Sequence, residues 1–407
     1  MNAVAVRVAL FSAYFLFAIL LNSVGTVILQ SITSFGVSKQ ATSYLDAFKD
    51  LPIAAVSFVV ASFLPRIGYR RAMIIGFALV AAACAAMPLV PGFLTTKLLF
   101  LTVGASFALI KISVYSTIGL LTQNANQHAS FLNTIEGFFM IAVWLHYWVF
   151  AAFIDPANPA SLSWLNVYWL LAGLAAANIA LFAVIDFPPP VAEEKRSLVA
   201  EFGAMIALMW KPAVIVFVIS AFLYVLIEQG IGTWLPTFNN EVLHLPQAMS
   251  VQATSIFAAA LAAGRLSAGL VLRRLDWYRL LNICVVGMAI LIVLTMPLAK
   301  GIVPDPELTW ARAPVAAFIL PMIGLLMAPI YPAINSVILS SLPRERHAAM
   351  AGLIVVFSAL GGTTGSFVTG QAFARFGGEI AFYLPLVPMA VILIALFYLK
   401  RTTARRP

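Results

Sequence analysis

Twelve separate runs of about 20 predominantly apolar residues, each long enough for an α-helix to cross the hydrocarbon of a bilayer, occupy most of this 407-residue chain. They lie near 8–30, 43–64, 72–90, 98–121, 131–153 and 164–186, then 212–237, 248–272, 279–298, 312–340, 347–373 and 379–400. With 62% hydrophobic and 10% charged residues, against about 25% charged in an ordinary soluble domain, the chain holds more apolar surface than a soluble core can hide. The excess has to face lipid, which excludes soluble enzyme folds. The first run, from Val8 to Leu29, is too long for the apolar region of a signal peptide and is read as a retained helix. The sequence therefore predicts an all-α membrane protein.

The runs fall into two sets of six. One long polar interval separates them, from Phe187 and the prolines 188–190 through Glu193, Glu194, Lys195 and Arg196 to Lys211. The expected organisation is an N-terminal six-helix bundle (1–186), a cytoplasmic linker (187–211) and a C-terminal six-helix bundle with a short basic tail (212–407). Placing the termini and the linker on one side puts about 16 of the 24 Lys and Arg residues there and about 5 opposite, so that side is cytoplasmic by the positive-inside rule. The expected location is a bacterial inner membrane, with both termini inside and a monomer as the working form. The net charge of +9 follows this topology and does not signal nucleic acid. Cys84 and Cys284 sit in different apolar runs as small hydrophobes. The sequence carries no nucleotide-binding loop, zinc-protease motif or metal-ligand cluster, so neither an enzyme nor a cofactor other than a coupling ion, H+, is expected.

An ionisable side chain at membrane depth costs several kcal/mol, and such groups normally pair or face an aqueous cavity. In the second span, Asp46, Lys49 and Asp50 stand at i, i+3 and i+4 on one helical face, as a proton relay, an outer gate or an interfacial salt bridge. Lys111 lies near the middle of the fourth span with Tyr115 one turn on. It serves either substrate binding and coupling or a static pair between helices. Glu136 in the fifth span and Glu228 in the seventh are candidate proton carriers, with pairing of Glu228 to Arg265 in the eighth as the structural alternative. His146, amid Trp144, Tyr147 and Trp148, reads either as a titratable imidazole or as a satisfied histidine in an aromatic interfacial belt. Asn22, Gln229, Tyr331 and Asn335 supply hydrogen-bonding groups, and Trp234 or Tyr331 an aromatic platform, for a small polar solute. Gly361, Gly362, Gly365, Pro321, Pro329 and Pro332 are read as mechanical, allowing close helix approach and bending.

The halves also resemble each other. Leu64-Pro65-Arg66-Ile67-Gly68-Tyr69-Arg70-Arg71 follows the second span, and Leu272-Arg273-Arg274-Leu275-Asp276-Trp277-Tyr278-Arg279 follows the eighth. The first of these resembles the signature loop of the major facilitator superfamily, G-x-x-x-D-R-x-G-x-R-R. Arg66, Gly68, Arg70 and Arg71 match, Ala61 replaces the glycine, and Pro65 replaces the acid. Leu21-Asn22, Gly264-Arg265, Ile330-Tyr331-Pro332 and Gly361-Gly362 are similar in order and spacing to the fucose and related sugar permease branch. That resemblance implies the major facilitator fold, two six-helix bundles related by pseudo-two-fold symmetry, and places Asn22 beside a sugar pocket. The branch has an acid in the first helix, near Gly25 here, and a glutamate where this chain has Lys111. The combined expectation is a proton-coupled symporter importing a small polar organic solute, a sugar or an acidic sugar-like compound, by alternating access. Arg66, Gly68, Arg70, Arg71, Lys49 and Arg265 would serve gating and structure. The alternatives are a proton-driven exporter of amphipathic compounds and a membrane receptor that does not transport.

Overall fold

A computed structural model of the protein describes residues 3–61, 64–187, 198–272, 274–305, 307–340 and 346–403. All regular structure among them is helical. Residues 188–197 of the expected linker, Arg273 of the second loop, the last four residues of the basic tail and the side chain of Arg66 lie outside what is described.

The chain forms two compact units, residues 1–37 with 45–196, and residues 38–44 with 197–407. In the first unit the helices are α1 (Ala3–Asn22) and α2 (Val24–Phe35), then, past a short α3 (Lys39–Thr42) that belongs to the second unit, α4 (Leu45–Ala61), α5 (Leu64–Ile67), α6 (Tyr69–Leu89), α7 (Phe93–Leu121), α8 (Ala125–Ala151) and α9 (Val167–Val184). The second unit continues with α10 (Leu198–Met209), α11 (Pro212–Glu241), α12 (Gln247–Val271), α13 (Trp277–Leu298), α14 (Ala316–Ile319), α15 (Ile323–Met327), α16 (Ile330–Ser340), α17 (His347–Phe376), α18 (Gly378–Tyr383) and α19 (Leu386–Thr403). The interval read as a plain linker thus carries a helix of its own, α10, whose apolar sequence LVAEFGAMIALM includes the buried Met205 and Leu208.

Among the described residues, ten helices are long and apolar enough by themselves to cross a membrane. The second and eighth expected spans, α4 and α12, are the two that fall short, because they carry the polar load. α4 includes Asp46, Lys49 and Asp50. α12 is rich in Gln, Ser and Thr and contains Arg265. The first span is interrupted at Ser23. The tenth is broken into α14, a 3-10 turn at 320–322, α15 and α16, where Pro321, Pro329 and Pro332 each remove a backbone donor.

The two units repeat one pairing scheme. In the first, α1 packs on α8, α4 on α7, and α6 on both α7 and α9. In the second, the corresponding spans do the same: α11 packs on α17, α12 on α15, and α13 on both α15 and α19. Glycine permits the tightest of these crossings. A β-carbon on Gly104 would collide with the Lys49 carbonyl of α4, and one on Gly361 or Gly365 would collide with the Phe222 or Leu226 carbonyl of α11. Backbone cannot move aside as a flexible side chain can, so these contacts fix how closely the helices approach.

The signature loop also has a structural role. Gly68 adopts φ +86°, a conformation that favours glycine, and its N–H donates to the Leu64 carbonyl at 2.9 Å. Arg70 donates from Nε to the Phe182 carbonyl at 2.7 Å and from its guanidinium to the Ala183 carbonyl, capping the C-terminal end of α9. Arg71 is exposed.

Gly365→Ala is expected to destabilise the protein by about 1–3 kcal/mol through overpacking. Gly119→Ala, where the added carbon meets open space, should leave the thermal midpoint in detergent unchanged. Equal midpoints for the two variants would refute the close-approach account.

Candidate functional sites

The first unit gathers Tyr14 from α1, Lys111, Tyr115 and Phe107 from α7, and Glu136 from α8. The Tyr115 hydroxyl donates to Glu136 Oε1 at 2.7 Å. Lys111 Nζ stands over the Phe107 and Tyr115 rings, 5.8 Å from each centroid, within cation–π range. Tyr14 lies against Tyr115 with ring centroids 6.3 Å apart. Among the described residues no carboxylate reaches ion-pair distance of Lys111, since Glu136 is held by the tyrosine. Lys111 thus rests against aromatic faces, a position from which its ammonium donors can meet an anion or a neutral acceptor.

A second cluster in the same unit lies at the interruption of the first span. Lys49 Nζ is 2.9 Å from Asp46 Oδ1 and 3.5 Å from Asp50 Oδ1, and it donates to the Leu21 carbonyl at 3.4 Å. The three acceptors match the three donors of an ammonium. The side chains are 7%, 0% and 14% exposed for Lys49, Asp46 and Asp50, so this is a buried clasp and not an interfacial salt bridge. Asn22, expected to touch solute, donates instead from Nδ2 to the Ala18 carbonyl of its own helix at 2.8 Å.

The second unit carries a cluster of similar composition. Glu228 Oε1 and Arg265 are 3.9 Å apart, at the limit of an ion pair, and 20% and 39% exposed. Tyr224, one helical turn before Glu228 on α11, stacks on Tyr331 of α16 with centroids 5.4 Å apart and planes 24° apart. The Tyr331 hydroxyl pairs with Ser358 Oγ of α17 at 2.8 Å, and Asn335 lies beside it. Gln229 accepts from Thr233 at 3.2 Å. Trp234 does not face an opening. Its ring is fully buried and its indole N–H donates to the Ser366 carbonyl at 2.9 Å, which makes it a packing residue and leaves Tyr331 as the aromatic platform of this unit.

The structure thus brings Lys111, Tyr115 and Glu136 into one group, Asp46, Lys49 and Asp50 into another, and Glu228, Arg265, Tyr331 and Asn335 into a third. Sequence reasoning passed over Tyr14, Phe107, Tyr224 and Ser358. Tyr14 and Tyr224 stand in the first and seventh spans, and Tyr115 and Tyr331 in the fourth and tenth, so laying the two halves of the repeat over each other would have paired them. His146 is not part of an exposed aromatic belt, because it is fully buried while Trp144 and Trp148 beside it are exposed.

Helices paired in this duplicated scheme, with charged clusters kept inside each unit, define a multi-pass membrane protein of the transporter class. The chain belongs to the Major Facilitator Superfamily, whose family model matches residues 10–366. No curated protein matches it significantly. Among solved structures it is similar to a mutant form of the nucleoside transporter NupG, at 15% identity, covering 97% of this chain and 99% of that one, with a TM-score of 0.75. It is likewise similar to an inward-facing, unoccupied bacterial homologue of the human lysosomal transporter Spinster, at 14% identity, covering 99% of this chain and 98% of that one, with a TM-score of 0.73. A third similarity is to a mutant form of the E. coli fucose:proton symporter FucP, at 14% identity, covering 98% of this chain and 99% of that one, with a TM-score of 0.61.

The two ion-pair clusters differ in burial and should respond differently to truncation. Lys49→Ala leaves two buried carboxylates uncompensated and is expected to cost about 3–5 kcal/mol. Arg265→Ala breaks a longer, less buried pair and is expected to cost less. Thermal melting of the purified variants checks the order, and an equal or larger loss for Arg265→Ala would contradict it.

Proposed function

We propose that this carrier is a proton-coupled symporter that imports a small polar organic solute bearing an acidic group, a uronate-like sugar acid being the type compound. Lys111 carries the reading. It is a cation kept at membrane depth against the Phe107 and Tyr115 rings, with the nearby Glu136 occupied by the Tyr115 hydroxyl. A group so costly to hold in hydrocarbon fits a role in meeting a charge-bearing solute. Tyr331, Ser358 and Asn335 in the second unit offer the neutral hydrogen bonds and the aromatic face that a polyhydroxylated solute uses.

In this reading Lys111 binds the anionic end of the solute, and Tyr14 and Tyr115 position the ammonium. Asp46, Asp50, Glu136 and Glu228 are the candidate proton carriers, and Arg265 holds Glu228 between turnovers. The protein works as a monomer in the bacterial inner membrane with both termini in the cytoplasm, exposing these groups to one side and then the other. The similarity in fold to a fucose:proton symporter and a nucleoside transporter, both carriers of polar solutes, supports import of a hydrophilic compound over extrusion of an amphipathic one.

The test is uptake of radiolabelled glucuronate, glucose and uridine into proteoliposomes under an inward proton gradient. Glucuronate should accumulate and the accumulation should collapse with a protonophore. Loss of a charge-assisted hydrogen bond is worth about 1.5–3 kcal/mol, so Lys111→Ala should weaken glucuronate uptake by about 10–100-fold, while Lys111→Arg keeps part of it. Undiminished gradient-driven uptake in Lys111→Ala would remove Lys111 from the site.

A further inference from the structure

α13 and α19 pack side by side in the second unit, as α6 and α9 do in the first, but the two seams are filled differently. The paired loops 64–71 and 272–279 set Val285 of α13 in register with Phe77 of α6. Phe77 is fully buried and meets the equally buried Phe182 of α9 with ring centroids 5.5 Å apart, so aromatic rings close the first seam. The second seam has a valine at that register and stays open. A groove of about 440 Å³ runs between Val285, Ala289 and Ile290 of α13 and Leu386, Met389 and Leu393 of α19. Its lining is wholly apolar, and its volume falls within the range of pockets that hold a ligand.

One end of this seam is basic. Arg279 stands six residues before Val285, about 9 Å along α13. Lys400 stands seven residues after Leu393, about 10 Å along α19. Lys400 Nζ lies 4.4 Å from the centroid of the Tyr278 ring, which joins the last turns of α19 to the first turn of α13 across the seam. Arg401 rests over Phe397 at 4.3 Å, and Arg274 lines an adjoining recess with Leu270, Val271 and Leu275. All four cations are exposed. The acid of these two stretches is Asp276, whose side chain makes no helix-capping hydrogen bond.

Topology alone accounts for basic residues on this side of the membrane, but not for their gathering at the mouth of an unfilled apolar seam. Ile290 is 51% exposed, so the groove opens on the face that meets acyl chains. A gap there forfeits dispersion contacts that a chain lying in it would regain. The cations at its mouth suit the phosphate of the same molecule, with arginine forks matching its oxygens. A zwitterionic headgroup would bring its own cation back against them, whereas an anionic one would not. A second copy of the chain paired through this face would set four cations against the same four, which argues for lipid as the occupant.

We propose that the seam between α13 and α19 is a binding site for one anionic phospholipid. An acyl chain fills the groove, and the phosphate is held at its mouth by Arg274, Arg279, Lys400 and Arg401. The first unit has no counterpart, because Phe77 and Phe182 occupy the equivalent space. The site is separate from Lys111 and Glu228 and stands whatever solute the protein carries.

The test is native mass spectrometry of the full-length protein in detergent, titrated with dioleoylphosphatidylglycerol or dioleoylphosphatidylcholine. One phosphatidylglycerol should bind per monomer, about tenfold or more tightly than phosphatidylcholine. Arg279→Gln should weaken that binding about fivefold. Arg71→Gln, which removes the matching charge from the first unit, should leave it unchanged. Ala289→Phe, which places a ring in the groove, should also weaken it. If that variant does not fold, dihexanoylphosphatidylglycerol replaces it as the probe of the groove, and this short-chain lipid should bind the unaltered protein about tenfold or more weakly than the dioleoyl form. Equal affinity for the two headgroups, equal losses in Arg71→Gln and Arg279→Gln, or equal binding of short and long chains overturns the proposal. So does full displacement of the lipid by glycerol 3-phosphate, which would mark a phosphate site that makes no use of the groove, or a dimer that excludes the lipid.

Discussion

A polar group in the hydrocarbon of a bilayer has no water to turn to, so every interrupted helix and every buried charge in this protein has to be answered by another part of the chain. The ammonium of Lys49 answers two such needs together. It binds Asp46 and Asp50 on its own helix and reaches across to the Leu21 carbonyl where the first span breaks. Charges and backbone are thus satisfied jointly, and neither could stay at that depth without the other. The Gly104 crossing that brings α7 directly onto the Lys49 backbone holds the clasp in place from the far side.

The same economy is visible in the way each unit is built. The pairings of α1 with α8, α4 with α7 and α6 with α9 reappear as α11 with α17, α12 with α15 and α13 with α19. Small residues set the helix separations, because between helices in lipid there is little hydrophobic driving force and close van der Waals contact has to supply it. On that scaffold each unit presents an acid, a base and a tyrosine pair: Glu136, Lys111, Tyr14 and Tyr115 in one, and Glu228, Arg265, Tyr224 and Tyr331 in the other. The difference between them is chemical. Lys111 rests on aromatic faces, while Arg265 keeps a loose carboxylate partner.

Much of this could be read from the chain before any coordinates. Span length and composition are local properties, so the helical class, the approximate limits of most spans and the shortlist of costly ionisable residues followed directly. The i, i+3, i+4 spacing of Asp46, Lys49 and Asp50 already put them on one face. Partners from other helices were out of reach, because a one-dimensional pattern does not record which turn of a distant helix arrives at the same depth. Tyr115 meeting Glu136, Tyr331 meeting Ser358 and Trp234 turning inward to Ser366 are all of that kind. His146 shows the limit most clearly, since its aromatic neighbours suggested an interfacial belt while its burial depends on how α8 rolls against α1.

Sequence alone fixed the solvent this chain lives in, the duplication of its two halves and the identity of the charges that lipid would not tolerate, because hydropathy and helical period are written residue by residue. Tertiary packing decided which of those charges are clasped, which one is left facing aromatic rings, and where the first span gives up its own hydrogen bonds to side chains from its neighbours. Those outcomes depend on distances of a few ångströms between helices far apart in the chain, which only the close crossings at glycine and the matched depths of the spans can set.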